Sequence, residues 1–424
     1  MQFLEEISSE GLEIARNITK EGPICDHCLG RQFAQISHGL SNEQRGMILK
    51  AALRASGEAL GEGTCWVCNG LFEHLEYWIS TALEKLTEYE FNSFLVGTKV
   101  SGLLLQNEEL LWEIAGALYA EPLKAELNRE VGKRLEHETG KRVEFETPDI
   151  VVILNLWTET VELQIKPVFI YGRYLKLTRG ISQTRWFCRE CGGKGCERCN
   201  FTGMMYPESV EGLISGPLLE EFNGEDLVLH GCGREDIDAR MLGSGRPFVV
   251  EIKEPKRRQV DLQRAAEQVN EANRGKVEVR ELQYVGREMV AKLKDAQMDK
   301  LYRVEVEFRS PVRETDLKKA LDRLNGALIE QQTPTRVLHR RADLVRNRNV
   351  YSVQLVSFDG KQAALQLTCR SNAFFKELIS GDEGRTRPSL SALLGTPAEV
   401  RVLDVLDVKV GIHGEDAADR EDVC

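Results

Sequence analysis

The stretch Gly233-Arg234-Glu235-Asp236-Ile237-Asp238-Ala239-Arg240-Met241-Leu242-Gly243-Ser244-Gly245-Arg246-Pro247-Phe248 reads as a loop that lifts an arginine, and two residues on a carboxylate, out of the end of a strand. The apolar run Leu227-Val228-Leu229 leads into it and Phe248-Val249-Val250 leads out, so the pattern is strand, loop, strand. No P-loop or dinucleotide fingerprint competes with it for the chemistry. Working outward, residues 259–273 carry helical spacing at Leu262, Ala265, Ala266 and Val269, and residues 314–325 repeat it at Leu317, Ala320, Leu321 and Leu324. Between them Tyr302, Val304, Val306 and Phe308 alternate along one strand face, and Asp359-Gly360 separates two β-rich runs as a hairpin turn does. The C-terminal half therefore predicts one large mixed sheet with helices laid on it.

Ahead of this region the texture differs. Helices are expected over 41–56 and 71–89, strands at 94–96 and 100–105, a long helix over 124–139, and strands over 149–156 and 160–165. The basic, aromatic stretch Tyr171 to Gly180 follows and leads to Trp186. The expected class is α+β and multidomain. The boundaries are a helical metal-binding module at 1–88, an α+β domain at 89–185, a cysteine knuckle at 186–204, the sheet domain at 205–413 and an acidic, disordered tail at 414–424.

A chain of 424 residues exceeds what one hydrophobic core usually organises. Its 42% hydrophobic and 29% charged content fit a folded protein, and the longest apolar run, near 150–157, is too short to span a bilayer. The acidic start Met-Gln-Phe-Leu-Glu-Glu predicts no secretory signal, which places the protein in the cytoplasm. A formal net charge of −11 excludes a generally basic nucleic-acid coat and leaves any such contact to local patches. Lys253, Lys256, Arg257 and Arg258 make one patch. Arg336, Arg340, Arg341, Arg346 and Arg348 make another, opposed only by Asp343. Either run also suits an ordinary solvated face.

Eight of the eleven cysteines fall into four Cys-x-x-Cys pairs: Cys25/Cys28, Cys65/Cys68, Cys188/Cys191 and Cys196/Cys199. Thiols at that spacing can ligate one tetrahedral ion together. The last two pairs form a tight knuckle whose turns are supplied by Gly192, Gly193 and Gly195. The first two bracket residues 29–64 and would close a small N-terminal unit. A reducing cytosol argues against disulfides. Zinc is the default occupant of both sets and an iron–sulfur cluster the alternative. Four thiolates leave no open coordination position, so both sites are expected to be structural. Cys232, beside the acidic loop, is expected to be a buried filler rather than a nucleophile.

The run 233–248 resembles the catalytic loop of the tRNA pseudouridine-54/55 synthases of archaea and eukaryotes, the tenth pseudouridine synthase family. The stretches Leu177-Thr178-Arg179-Gly180-Ile181-Ser182-Gln183-Thr184-Arg185-Trp186, Thr333-Pro334-Thr335-Arg336-Val337-Leu338-His339-Arg340-Arg341 and Ser380-Gly381-Asp382-Glu383-Gly384-Arg385-Thr386 agree with it, so the similarity runs through most of the chain. It implies a pseudouridine synthase catalytic domain, an N-terminal zinc module and an RNA-binding THUMP domain, whose pattern is similar to Ser93-Phe94-Leu95-Val96-Gly97-Thr98. No organic cofactor, membrane or obligatory protein partner is implied. The substrate would be the T-loop of tRNA, at position 54, 55 or both, with the acceptor arm gripped elsewhere. By the family's Gly-Arg-x-Asp pattern Asp236 is the carboxylate that attacks uridine, with C1′ and C6 both open as targets. Lys376 matches the cation that faces it, and Tyr302 matches a tyrosine that stacks on the ring and takes part in proton transfer. Arg234 would fill the gap left by a flipped nucleotide or hold its phosphate. Further RNA contacts are expected from Arg173, Arg179, Lys256, Arg257, Arg258, Arg336, Arg340, Arg341 and Arg385. One departure stands near Lys376: the Gly-Thr-Tyr common before this residue reads Asn372-Ala373-Phe374 here.

Other tRNA modifiers that carry THUMP domains fit less well. A thiouridylase needs a Ser-Gly-Gly pyrophosphate loop and a methyltransferase a glycine-rich turn after a strand, and neither is present. A non-catalytic zinc-containing tRNA-binding or chaperone protein would keep the metals and basic patches but has no need of the Gly-Arg-Glu-Asp loop.

Overall fold

The computed structural model describes residues 2–296, 298–340, 342–370 and 374–410. Arg341, Asn372-Ala373, Cys424 and the acidic tail 414–424 lie outside the described residues. The chain divides into two units, Met1–Lys166 and Pro167–Cys424.

The first unit runs α1 (Gln2–Lys20), α2 (Asp26–Gly30), α3 (Asn42–Ala55), α4 (Leu75–Leu86), β1 (Ser93–Lys99), α5 (Gly102–Ala115), α6 (Leu123–Thr139), β2 (Arg142–Val143), β3 (Ile150–Asn155) and β4 (Thr160–Ile165). Ser41 fixes the start of α3 with a capping box: its hydroxyl accepts from the Gln44 amide, and the Gln44 side chain accepts from the Ser41 amide. α2 and α3 approach at backbone distance. A side chain on Gly46 would begin 2.0 Å from the Asp26 carbonyl oxygen, and one on Gly30 1.8 Å from that of Asn42, so only glycine fits at either position. The sheet order is β2-β1-β3-β4, with β1 parallel to β2 and β3 and with β3 and β4 antiparallel.

Helical module and sheet share one core. Leu29, Leu49 and Val67 belong to the same buried cluster as Phe94, Leu127 and Ile150. The strand expected at 100–105 is instead the entry to α5: β1 ends at Lys99 and Ser101 occupies the N-cap position of the helix. Of the three leucines there only Leu104 is buried. An apolar run this short does not separate a period of 2 from one of 3.6.

The second unit runs β5 (Val168–Lys176), α7 (Val210–Phe222), β6 (Asp226–Gly231), β7 (Arg240–Lys253), α8 (Leu262–Ala272), β8 (Val277–Val285), α9 (Glu288–Asp295), β9 (Met298–Phe308), α10 (Glu314–Leu324), β10 (Leu328–Gln332), β11 (Val345–Phe358), β12 (Gln362–Arg370), α11 (Phe375–Ser380), β13 (Thr386–Arg387), α12 (Leu390–Leu394) and β14 (Ala398–Val410). Nine strands follow the order β13-β10-β11-β12-β9-β14-β7-β5-β8, and β6 pairs with β7 off that path. The pair β14–β7 is parallel and short, with Asp404 opposite Arg240 and Val405 opposite Met241; the other strand pairs of this sheet are antiparallel. The architecture is thus α+β with a mixed sheet.

The segment read from sequence as 89–185 divides between the units. β5 hydrogen-bonds to β7 on one side and β8 on the other, and its nearly continuous burial marks an interior strand rather than the end of a preceding domain. One register row then crosses the sheet through Leu367, Tyr302, Val405, Met241 and Lys176. The loop 233–238 leaves β6 and re-enters the sheet at β7 beside that row.

Candidate active site

The loop rests on buried charge. Gly231 closes β6, and Gly233 turns with φ +75°, where a Cβ would stand 3.2 Å from an Arg246 nitrogen and 3.3 Å from Lys300 Nζ. Glu235 points inward, its carboxylate 2.8 Å from Arg246 Nε and within 3.9 Å of Lys176 Nζ, and it accepts from the Tyr174 hydroxyl at 2.8 and 2.9 Å. Gln183 donates to that hydroxyl and to the Gly233 carbonyl, 2.9 Å in each case. Burial alone would push the Glu235 carboxyl up, but Arg246 and Lys176 outweigh it and hold it below its ordinary value. Burial, together with the Glu235 charge, raises the Tyr174 hydroxyl well above its usual range, so it remains a donor. Lys176 completes the platform by donating to the carbonyls of Ile181, Asp236 and Ile237 at 2.9, 3.0 and 3.2 Å. The backbone at Asp236 is therefore tied to the sheet from below, and its side chain is left to face outward.

Asp236 opens into a cleft of about 450 Å³, within the range of roughly 300–1,000 Å³ typical of small-ligand sites. Its Oδ1 lies 3.4 Å from an Arg336 nitrogen and its Oδ2 3.4 Å from Lys376 Nζ. Tyr302, on β9, lines the same cleft and packs on Phe375 with ring centroids 3.8 Å apart. Asp236, Tyr302 and Lys376, singled out in three separated segments, thus meet in one place. Two details differ from the sequence reading. Lys376 sits nearer to Asp238, at 2.7 Å, than to Asp236. Arg336, read as an RNA contact, supplies the second cation on Asp236 and is itself held by Glu377 at 2.7 Å. Burial disfavours the Asp238 charge, but the Lys376 bond and ammonium outweigh it and lower its carboxyl. The Asp238 side chain is 65% exposed and lines an adjoining cavity rather than this cleft.

Sequence reasoning missed the supports. Sequence pattern alone gives no role to Lys176, Gln183 and Arg246, nor to Lys300 and His230, which also line the cleft. His230 is two residues before Cys232 and pairs with Glu251 at 3.0 Å. Cys232 is fully buried, donates to the Leu293 carbonyl, and has its thiol pushed up by burial, as a filler would.

Both cysteine sets converge. Within each set the four sulfurs lie within 4.8 Å of one another. The Cys25–Cys68, Cys188–Cys196, Cys191–Cys199 and Cys196–Cys199 separations are 3.7, 3.8, 3.8 and 3.7 Å. A disulfide needs about 2.05 Å. A tetrahedron of thiolates at about 2.3 Å from a central ion has edges of about 3.8 Å, so each set is sized for one metal ion. In the first set the fully buried Arg31 donates to Cys28 Sγ at 2.8 Å.

A family profile described as "Pus10, C-terminal" matches residues 169–409, and one described as "Pus10 THUMP domain, archaeal" matches residues 78–155. The chain belongs to the Pus10 family. Among similar curated proteins, each named tRNA pseudouridine synthase Pus10, that of Methanothrix thermoacetophila is 49% identical over 95% of both chains. Those of Halorubrum lacusprofundi and Pyrococcus furiosus are 42% and 37% identical, over 96% and 95% of this chain and 97% and 99% of theirs. The Pus10 C-terminal match begins within β5, where the second unit begins. Membership makes this chain an isomerase of the pseudouridine synthase class. Among the described residues no helix is long and apolar enough to cross a membrane.

Within this Pus10 chain the remaining expected RNA contacts divide. Arg234 is exposed, over the Trp186 ring at 5.7 Å and 3.4 Å from the Thr184 hydroxyl. Arg173 gives its donors to Ser244, Gly245 and Val408, and Arg179 to the carbonyls of Asp238 and Leu403 and to Asp404, so both act as internal clamps. Arg385 donates to the Thr333 carbonyl and pairs with Asp343. Lys256, Arg257 and Arg258 follow the end of β7 remote from the loop, a distance set by the six residues of β6, about 20 Å. Arg340 ends a 3-10 turn, Thr335–Arg340, that begins next to Arg336.

Proposed function

We propose that this Pus10 enzyme isomerises uridine in the T-loop of tRNA, at position 54, 55 or both, with Asp236 as the attacking carboxylate. The observation that carries the reading is the placement of Asp236 in a uridine-sized cleft, between two cations and on a buried platform that holds its backbone. The reaction breaks the C1′–N1 bond, forms a C1′–C5 bond, and balances the proton lost from C5 with one gained at N1, so no redox partner or cofactor is consumed. A carboxylate flanked by the Arg336 and Lys376 cations suits attack at either C1′ or C6. Tyr302, which lines the cleft, stacks on the ring in this reading, and its hydroxyl takes part in moving the proton. The cysteine sets hold zinc, since separations under 5 Å suit a single ion and thiolates spread over a multi-iron cluster would stand further apart. The THUMP domain and N-terminal module grip the acceptor arm.

With unmodified tRNA transcript, carbodiimide labelling and primer extension are expected to give stops in the T-loop after incubation with the protein; stops confined to another arm would refute the substrate assignment. Extracting a loop uridine costs a few kcal/mol of stacking, offset by phosphate contacts. If five cations among Arg234, Lys256, Arg257, Arg258 and their neighbours meet phosphates, log K falls against log salt with a slope of about −3.5 to −4.5. Affinity that does not change between low and physiological salt would discard this electrostatic account.

A further inference from the structure

A second cavity, of about 380 Å³, adjoins the Asp236 cleft and shares Gln183, Arg234, Glu235, Asp236, Arg336 and Lys376 with it. Its far wall is built by the cysteine knuckle: Trp186 and Tyr206, with Arg189 and Met205 beside them. The two aromatics occupy opposite legs of the knuckle's stem. Phe187 bridges Met204, Met205 donates its amide to the Trp186 carbonyl at 2.8 Å, and Cys188 donates its amide to the Gly203 carbonyl at 2.7 Å. The rings meet edge to face, 5.7 Å apart at 70°. Below them the stem is fastened to the sheet domain where Ser182 bridges Ser209. An ion held by Cys188, Cys191, Cys196 and Cys199 would lock the tip from which these legs descend.

The charges are complementary to an RNA chain. The carboxylates in this cavity are already answered from within: Asp238 by Lys376, Asp236 by Arg336 and Lys376, and Glu235 by Arg246. Among the described residues neither Arg189 nor Arg234 is paired with a carboxylate, and Arg234 lies over the Trp186 face. Aromatic rings flanked by unpaired guanidiniums are the arrangement that stacks one base and meets its phosphate.

We infer that the knuckle and the catalytic loop together form a second nucleotide subsite, which takes a base adjacent in the RNA to the reacting uridine, stacked against Trp186 and Tyr206, with its phosphate on Arg189 and Arg234. The inference rests on the reading of the Asp236 cleft as the uridine site. It gives the knuckle a task in substrate reading as well as in folding, and it makes recognition depend on the nucleotide beside the target as well as on the target itself.

The test pairs a protein change with an RNA change. A tRNA transcript made abasic at either neighbour of the target uridine is compared with the intact transcript, using wild type, Trp186→Ala and Trp186→Phe under single-turnover conditions. On intact RNA, Trp186→Ala is expected to raise the concentration for half-maximal rate on the order of 10- to 100-fold, with the maximal rate within a few-fold, while Trp186→Phe retains most of the affinity. For one of the two abasic RNAs wild type shows the same loss, and Trp186→Ala loses nothing further. Equal use of intact and both abasic RNAs by wild type overturns the subsite whether or not the variant folds; independent, multiplying losses from Trp186→Ala and the abasic change also overturn it. Metal content of the variant shows whether the knuckle is intact. Asp236→Asn run beside these separates the two claims, since its retained activity would remove the uridine-site reading, whereas its inactivity together with indifference to the neighbouring base removes only the subsite.

Discussion

Asp236→Asn is expected to lower the single-turnover rate of pseudouridine formation by at least ~10⁴-fold, about 5 kcal/mol of transition-state stabilisation, while tRNA binding stays within a few-fold of wild type. The amide keeps the shape of the side chain but cannot act as a nucleophile. The surrounding supports do not depend on its charge: Lys176 holds the Asp236 carbonyl rather than the carboxylate, and Glu235 anchors the loop through Arg246 and Tyr174. Binding should survive because Arg336 and Lys376 keep their closer carboxylate partners, Glu377 and Asp238 at 2.7 Å, and so stay in place. The comparison that decides is Asp236→Asn beside Asp238→Asn. Asp238 is the more exposed of the two and lies outside the 450 Å³ cleft, so its loss is expected to act through the position of Lys376 and to cost far less. An Asp236→Asn enzyme within tenfold of wild type, with Asp238→Asn inactive, would transfer the chemistry to Asp238.

The loop's flanks were legible because strands announce themselves by local pattern. Leu227 to Leu229 and Phe248 to Val250 became β6 and β7, the Asp359-Gly360 turn joined β11 to β12 with Asp359 accepting from the amides of Lys361 and Gln362, and Tyr302 to Phe308 alternated as expected on β9. Local pattern failed at 100–105, where three leucines in a row carry no period, and at β5, whose membership of the second sheet is decided by partners 65 to 116 residues away. The site was legible only in part for the same reason. Asp236, Tyr302 and Lys376 could be singled out through family resemblance, but nothing in spacing says that Arg336 reaches across 100 residues to Asp236 rather than facing RNA. The buried group of Lys176, Tyr174, Glu235 and Arg246 was illegible on principle. A charged residue in a sequence looks solvated until its partner is known, and a buried one is tolerable only with that partner.

Removing metal from the N-terminal set is expected to unfold the first unit, whereas removing it from the knuckle is expected to leave both cores standing. The difference lies in burial. Cys28, Cys65 and Cys68 are at most 2% exposed and belong to the core that also contains Leu49 and Ile150, and the fully buried Arg31 has a Cys28 sulfur as its close partner, with Glu108 3.7 Å away. Structural zinc contributes about 10–16 kcal/mol in zinc-finger peptides, comparable with the roughly 5–15 kcal/mol total stability of a domain. Withdrawing the ion also strips the buried guanidinium of its thiolate, a further penalty of roughly 3–5 kcal/mol. In the knuckle Cys191 and Cys196 are only half-buried and none of the four cysteines belongs to the hydrophobic cluster of its unit, so the cost there is local. Elemental analysis should find two ions per chain in wild type and one in each of Cys28→Ser and Cys191→Ser. Limited proteolysis should then cut Cys28→Ser throughout residues 1–166 and spare 167–410, while Cys191→Ser is nicked near 186–204 alone. A Cys28→Ser protein that keeps one ion and a protease-resistant first unit would show that the packed helices and sheet, and not the metal, hold that unit together.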